Sequence, residues 1–298
     1  VGTLLDKIAG RGAEVQANRT LARLKTFFHW AADEEVIATS PIVRMKPTVR
    51  ETARDRALSD DEVRLFWRAC DAIGWPFGPL FKLLLTTAQR RDEVGGLTYA
   101  ELDLPARLWR LPRSRSKNDK AHEIALSEIA LEVLAEVQKM RGRLAELKNS
   151  QLIFTSTGTT PVSGFSRAKL RLDHEMERLA RADRGLPEKE DELRKVLKLK
   201  PKEELPRFVP EFILHDLRRT AATGMAKLNI PPHVVDKVLN HVSGTIRGVA
   251  AVYNRHSYEA ERRAAMEAWG RYVAGLMAPA PAQPMANTTN SNRCRVER

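Results

Sequence analysis

His215 and Arg218 stand three residues apart in a stretch, 214–228, whose apolar residues Leu214, Leu217, Ala221, Met225 and Leu228 recur at helical spacing. A helix brings positions i and i+3 to one face, so an imidazole and a guanidinium aim at one spot. A second helical stretch opens at Pro231-Pro232, runs through Val234, Val235 and Val238, and delivers Leu239-Asn240-His241. After the turn Ser243-Gly244-Thr245, a further helical segment with Val249 and Val252 delivers Tyr253. An arginine, two histidines and a tyrosine gathered by helical turns suit phosphate chemistry: arginine grips two phosphate oxygens, histidine moves protons and tyrosine can attack.

Upstream pieces extend the set. Ser59 and Glu62 form a capping box that starts a helix through Val63, Phe66, Trp67 and Cys70. Pro76 opens a second helix through Leu80, Leu83, Leu84 and Leu85, which leads into Thr87-Ala88-Gln89-Arg90-Arg91-Asp92-Glu93. Alone, that run reads as a solvated charged turn. Residues 108–111 and 122–126 alternate like two strands around a basic loop; positions 107 to 120 hold six basic residues and one acidic.

His-x-x-Arg, then Leu-Asn-His, then Tyr resembles the C-terminal signature of the tyrosine recombinases, the phage-integrase family. The wording HDLRRTAATGMAKLNI, VLNHVSG and VAAVYNR is most similar to prophage and genomic-island integrases. The resemblance implies roles. Arg90 matches the first catalytic arginine and Glu93 the acidic residue behind it, with Ala88 where the pattern has glycine. Lys117 lies where the family carries a catalytic lysine on a β-hairpin, with Lys120 a near neighbour that competes for the assignment. The site set is then Arg90, Lys117, His215, Arg218, His241 and Tyr253, with Glu93 orienting its arginine. Tyr258, five residues on, competes with Tyr253, and His122 positions the hairpin or meets DNA.

The implied fold is mainly α with a small β-sheet (α+β): a catalytic domain over 58–277, preceded by part of a helical core-binding domain over 1–45. The phrase ANRTLARLKTFFHWA carries that second likeness, with Leu21, Leu24, Phe28 and Ala31 on one helical face. Such a domain normally has about four helices, so this one reads as truncated, and the N-terminal arm-binding region usual in these integrases reads as lacking. Residues 46–57 read as an exposed linker. A helix capped by Ser127 is expected to run through Met140 to Leu144 and Leu147, followed by a strand at 151–154 and a helix over 163–182. Residues 183–210, with four prolines, read as a solvated surface insertion with one short helix at 188–197. A helix over 257–276 follows, and 278–298 has too little apolar content to fold.

Charge fits this picture. The 298 residues carry a formal net charge of +12, which favours a polyanion such as nucleic acid. Arg19, Arg23, Lys25, Arg113, Arg115 and Lys120 are the candidate DNA contacts. Two cysteines exclude a disulfide framework or a cysteine-based zinc site, and a histidine-pair zinc site lacks a third ligand at suitable spacing. No metal or other cofactor is expected. No apolar run reaches membrane-spanning length, no leader opens the chain, and a cytoplasmic, nucleoid-associated location follows.

Expected partners are double-stranded DNA at attachment sites, a homotetramer on DNA with a monomer when free, and accessory DNA-bending or directionality proteins. Each residue has a plainer reading: His215 as a helix cap, His241 as a core histidine, Tyr253 as a buried phenol. The ordered set outweighs them. Rival functions are a type IB topoisomerase activity and a catalytically inactive DNA-binding remnant.

Overall fold

The chain divides into two compact units, Val1–Asp55 and Arg56–Arg298. The computed structural model describes residues 1–50, 55–144, 147, 149–200, 203–241 and 256–278.

The first unit rests on two helices, α1 (Gly2–Ala9) and α2 (Glu14–Asp33). Leu5, Ala17, Leu21 and Ile42 form its core, with Ile8, Leu24, Phe28 and Met45 packed around them. The stretch expected as a linker begins tied to this unit. Buried Asn18 accepts the Thr48 N–H at 2.7 Å and donates to the Val49 carbonyl at 2.8 Å, which satisfies both ends of its amide.

The second unit contains α3 (Asp60–Ile73), α4 (Phe77–Thr87), α5 (Arg91–Gly95), α6 (Glu128–Gly142), α7 (Phe165–Ala182), α8 (Glu190–Val196), α9 (Leu214–Lys227), α10 (Pro232–Val238) and α11 (Glu259–Met277). The capping box at α3 forms: the Glu62 N–H donates to Ser59 Oγ at 3.3 Å, and the Ser59 N–H to Glu62 Oε2 at 2.7 Å. Helix α4 is buried on every side from Gly78 to Thr87, as its all-round apolar sequence requires. It packs against α3, α6, α9 and α11, so the turn at its C-terminal end is held from several directions. Trp269 on α11 donates Nε1–H to the Leu85 carbonyl at 2.9 Å and lies over Gly224 of α9. A Cβ at Gly224 would come within 2.1 Å of that ring, so only glycine lets α9 and α11 meet there.

Three short strands, β1 (Leu102–Asp103), β2 (Leu108–Leu111) and β3 (His122–Ala125), pair antiparallel in that order. Leu111 faces His122 in the register, which leaves residues 112–121 to loop out between β2 and β3.

Four expectations need correction. Helix α6 stops at Gly142, short of Leu144 and Leu147. Glycine is a poor helix former, and Arg141 turns back to donate to the Leu147 and Ser150 carbonyls at 2.7 and 3.1 Å. Ser127 occupies the N-cap position of α6, but its hydroxyl makes no capping bond and packs near Gly270. Residues 151–154 form an isolated bridge, Thr98 to Leu152, rather than a strand. The 183–210 insertion is not merely solvated: α8 buries Leu193, and Glu177 of α7 accepts the Phe208 and Val209 N–H groups at 3.1 and 3.0 Å.

Candidate functional site

The site grows from the turn that ends α4. Ala88 there is left-handed (φ 56°, ψ 20°) and fully buried. The chain makes the turn without glycine, at a conformational cost of roughly 1 kcal/mol. Gln89 then donates to the Thr87 carbonyl at 2.8 Å and to the Val238 carbonyl at 3.1 Å, joining the turn to the end of α10. Glu93 is buried and accepts twice from Arg90: the backbone N–H at 3.1 Å and guanidinium Nη1 at 3.0 Å. A carboxylate held this way fixes the direction of its arginine.

Arg218 on α9 is only 4% exposed. Its Nη1 donates to the Ala88 carbonyl at 2.6 Å and its Nη2 to the Leu239 carbonyl, so one guanidinium bridges the α4 turn and the α10 end. Burial, then the neighbouring Arg90 charge, press its pKa down to about 10, and it stays cationic at neutral pH. These two bonds use two of its five N–H donors.

His215 lies three residues earlier on α9, at the surface. Partial desolvation, then Arg219 and Arg218, lower its pKa below the ordinary imidazole value, which keeps the ring neutral at pH 7. It is not the helix cap. That work falls to buried Asp216, which accepts the Ile213 N–H at 2.9 Å and Arg219 Nη1 at 2.6 Å.

His241 follows α10 and is not a core histidine, since its side chain is 42% exposed. Its Nδ1 lies 3.1 Å from Asp236 Oδ1 and its backbone N–H donates to the Asp236 carbonyl at 3.0 Å. Nδ1 is thereby engaged, and among the described residues Nε2 is the nitrogen left for an incoming group.

Lys117 sits exposed in the β2–β3 loop. The residues on either side of it reach the same place: Asn118 Nδ2 donates to the Asn240 carbonyl, and Asn240 Nδ2 donates to Ser116 Oγ at 3.2 Å. Lys120 is exposed further along the loop. Buried His122 at the start of β3 bonds through Nε2 to the Val238 carbonyl at 3.1 Å. Desolvation, the largest influence, lowers its pKa to about 4.

Among the expected DNA contacts, Arg115 turns inward. It pairs with the Glu101 carboxylate and donates to the Glu93 carbonyl at 2.6 Å, so it supports the site from within. Arg113 stays at the surface beside Asp119, at 2.5 Å. On α2, Arg19 and Arg23 are exposed and Lys25 is half-buried. Tyr253, with Val249 and Val252, lies outside the described residues. Its competitor Tyr258 packs against His233, tilted, and His256, edge-on, with ring centroids 4.9 and 4.7 Å away. His233 belongs to the first turn of α10, whereas His241 follows its last. Sequence reasoning gave no role to Gln89, Ser116, Asn118 and Asn240, whose partners lie up to 149 positions away in the chain. Gln89 and Asn240 lie inside the recognised motifs, but nothing local names those distant partners.

Among the described residues no cluster of three or more His, Cys, Asp or Glu could hold a metal ion, and no helix is long and apolar enough to cross a membrane.

A helical unit with a three-stranded antiparallel sheet, in which Arg218 of α9 ties the turn before Arg90 to the Leu239 carbonyl two residues before His241, defines the class. The chain belongs to the phage integrase family, whose profile matches residues 56–260. Prophage integrase IntA of Escherichia coli (strain K12) is 25% identical over 194 residues, 65% of this chain and 38% of that protein. This chain therefore spans well under half the length of that relative.

Solved structures share the fold. A lambda integrase (75–356) dimer bound to a COC′ core site superposes with a TM-score of 0.53 at 18% identity, over 83% of this chain and 79% of that one. A lambda integrase tetramer bound to a Holliday junction gives 0.54 at 18% identity, over 83% and 64%. The Tn1549 transposon integrase (82–397) in complex with circular intermediate DNA gives 0.53 at 17% identity, over 89% and 83%.

Proposed function

We propose that this chain is a site-specific DNA recombinase that cuts and rejoins strands through a 3′-phosphotyrosyl intermediate, for integration or excision of a mobile element. The observation that carries the reading is the Arg90–Glu93 and Arg218 arrangement, two guanidinium groups fixed about one turn, with His215 three residues before Arg218 on α9. That is a ready site for a phosphodiester whose charge grows during attack.

In the proposed reaction the Tyr253 hydroxyl attacks phosphorus. The new P–O(Tyr) bond forms as the bond to the 5′-oxygen breaks. A phenol with a pKa near 10 must lose its proton at neutral pH, and His215, held neutral, accepts it. Arg90 and Arg218 hold the non-bridging oxygens, and His241, as the imidazolium whose Nδ1–H bonds Asp236, donates Nε2–H to the phosphate. Lys117 gives a proton to the departing 5′-oxygen. Rejoining runs the same steps backwards with another strand's 5′-hydroxyl. The contact of Tyr258 with His233, at the end of α10 away from His241, supports Tyr253 as the nucleophile.

Exposed Arg19, Arg23, Arg113 and Lys120, with half-buried Lys25, are the proposed backbone contacts to double-stranded DNA. Dimers on a core site and a tetramer on a Holliday junction, known for lambda integrase, support a homotetramer on DNA, and the free chain is proposed to be a monomer. Accessory bending or directionality proteins and a cytoplasmic, nucleoid-bound location complete the reading.

The test is a library of nicked suicide duplexes, incubated with the protein in EDTA. The expected result is a denaturation-resistant adduct on Tyr253, lost in Tyr253→Phe and kept in Tyr258→Phe. Tight, salt-sensitive binding without an adduct would instead point to a binding-only remnant. Adducts that relax supercoils but never yield recombinant joints would point to a topoisomerase.

A further inference from the structure

The geometry points to Asn240 as the residue that positions Lys117 for proton transfer, an inference that rests on the proposed acid role of Lys117. Asn240 occupies the single position between Leu239, whose carbonyl holds Arg218, and His241. Its backbone is left-handed, with φ of 50°. That conformation turns both its carbonyl and its side chain toward the β2–β3 loop. The carbonyl takes Asn118 Nδ2, and the side-chain amide donates to Ser116 Oγ at 3.2 Å. Lys117 is the residue between these two anchors.

The anchors are themselves well supported. Ser116 is buried, and its N–H donates to the Pro112 and Arg113 carbonyls at 3.2 and 3.1 Å. Asn240 donates its N–H to the Lys237 carbonyl at 3.1 Å, at the end of α10. Lys117 itself is exposed on a long, flexible side chain. Two bonds that hold the side chains of the residues on both sides of it restrain the loop there, and so remove part of the freedom that would otherwise be lost when its ammonium group meets a leaving oxygen. The tie also sets the lysine relative to Arg218, because residues 239 and 240 serve both groups. Lys120 lies outside the clamp, which favours Lys117 as the acid.

The test compares two suicide duplexes, one with the ordinary 5′-bridging oxygen and one with sulfur in that position. A thiolate leaves without needing a proton, because its conjugate acid is far stronger than an alcohol. The variants are Lys117→Ala and Asn240→Gly. Glycine tolerates the positive φ and keeps the carbonyl for Asn118, so Asn240→Gly deletes only the bond to Ser116.

With the oxygen substrate, Asn240→Gly is expected to slow adduct formation about tenfold to a hundredfold, the scale of a misplaced catalytic group. Lys117→Ala should slow it more, by about 10²–10⁴. Sulfur should bring both variants to within about threefold of the parent, since no proton transfer is left to lose. A near-parental sulfur rate also shows that Asn240→Gly is folded and binds DNA. An Asn240→Gly defect equal on both substrates would overturn the positioning role, and so would no defect on either. A Lys117→Ala defect that sulfur fails to relieve would overturn the acid role and the inference with it. No adduct from the parent protein would overturn the proposed function instead.

Discussion

The site has two halves that are built differently. Arg218, Glu93 and Gln89 are buried, and each is bonded to backbone of a second element or turn. Lys117, His215 and His241 are exposed, and each depends on one neighbouring residue or partial cover for its setting. The two arginines proposed to hold charge are thus fixed by the fold, whereas Lys117 and His215, proposed to move protons, stand at its surface together with the phosphate donor His241. This division has a physical basis. A guanidinium that must meet growing phosphate charge works best when it needs no rearrangement, and burial strengthens its field. A proton donor or acceptor must reach and release atoms that move during the reaction, so it needs room.

Substitutions can break or sharpen that contrast. Arg218→Met should have the largest effect, because it removes charge and the bridge between the Ala88 and Leu239 carbonyls together. Adduct formation should fall by about 10²–10³, the scale for losing one preorganised donor. Two buried carbonyls left unpaired should also lower stability by about 2 kcal/mol or more, measured by urea unfolding. A large rate loss with unchanged stability would break the idea that this half is structural as well.

Acid should weaken the buried half through His122. Its pKa is about 4 when folded, so the unfolded imidazole near 6.5 takes up a proton first as pH falls. Stability is therefore expected to decline from about pH 6.5 down to about pH 4, by a total of about 3 kcal/mol. In His122→Gln, which can still donate to the Val238 carbonyl, that decline should shrink in urea titrations across this range.

Glu93→Gln should have a smaller effect. Gln can still accept the Arg90 N–H but no longer offers a charge to its guanidinium. Loss of one charge-assisted bond, about 1.5 kcal/mol, corresponds to roughly a tenfold lower rate. DNA affinity should stay near the parent value in a filter-binding assay. The smallest effect belongs to Arg113→Ala at the surface. Its pair with Asp119 is 70% exposed on each side, so stability should not change measurably. The slope of log affinity against log salt should fall by about one unit if Arg113 meets a phosphate.

Much of the buried half was legible beforehand, but for uneven reasons. Apolar spacing placed α3, α4, α9 and the α10 stretch, since a helix face repeats within a few residues. The ends of elements were less legible. Helix α6 ends at Gly142 because Arg141 finds carbonyls at Leu147 and Ser150, a bargain struck after the helix. The inward turn of Arg115 depends on Glu101, a partner fourteen residues away across the sheet. No charge count distinguishes it from exposed Arg113.

The sequence by itself determined which residues could do phosphate chemistry, and the helical periodicity that would carry them. It did so because side-chain chemistry and short-range spacing are local properties. Tertiary structure alone decided how those residues are held: Arg218 between two carbonyls 151 positions apart at Ala88 and Leu239, and Lys117 between anchors on Asn240. Backbone carbonyls are the same in every residue, so nothing in the letters says which of them a distant side chain will find.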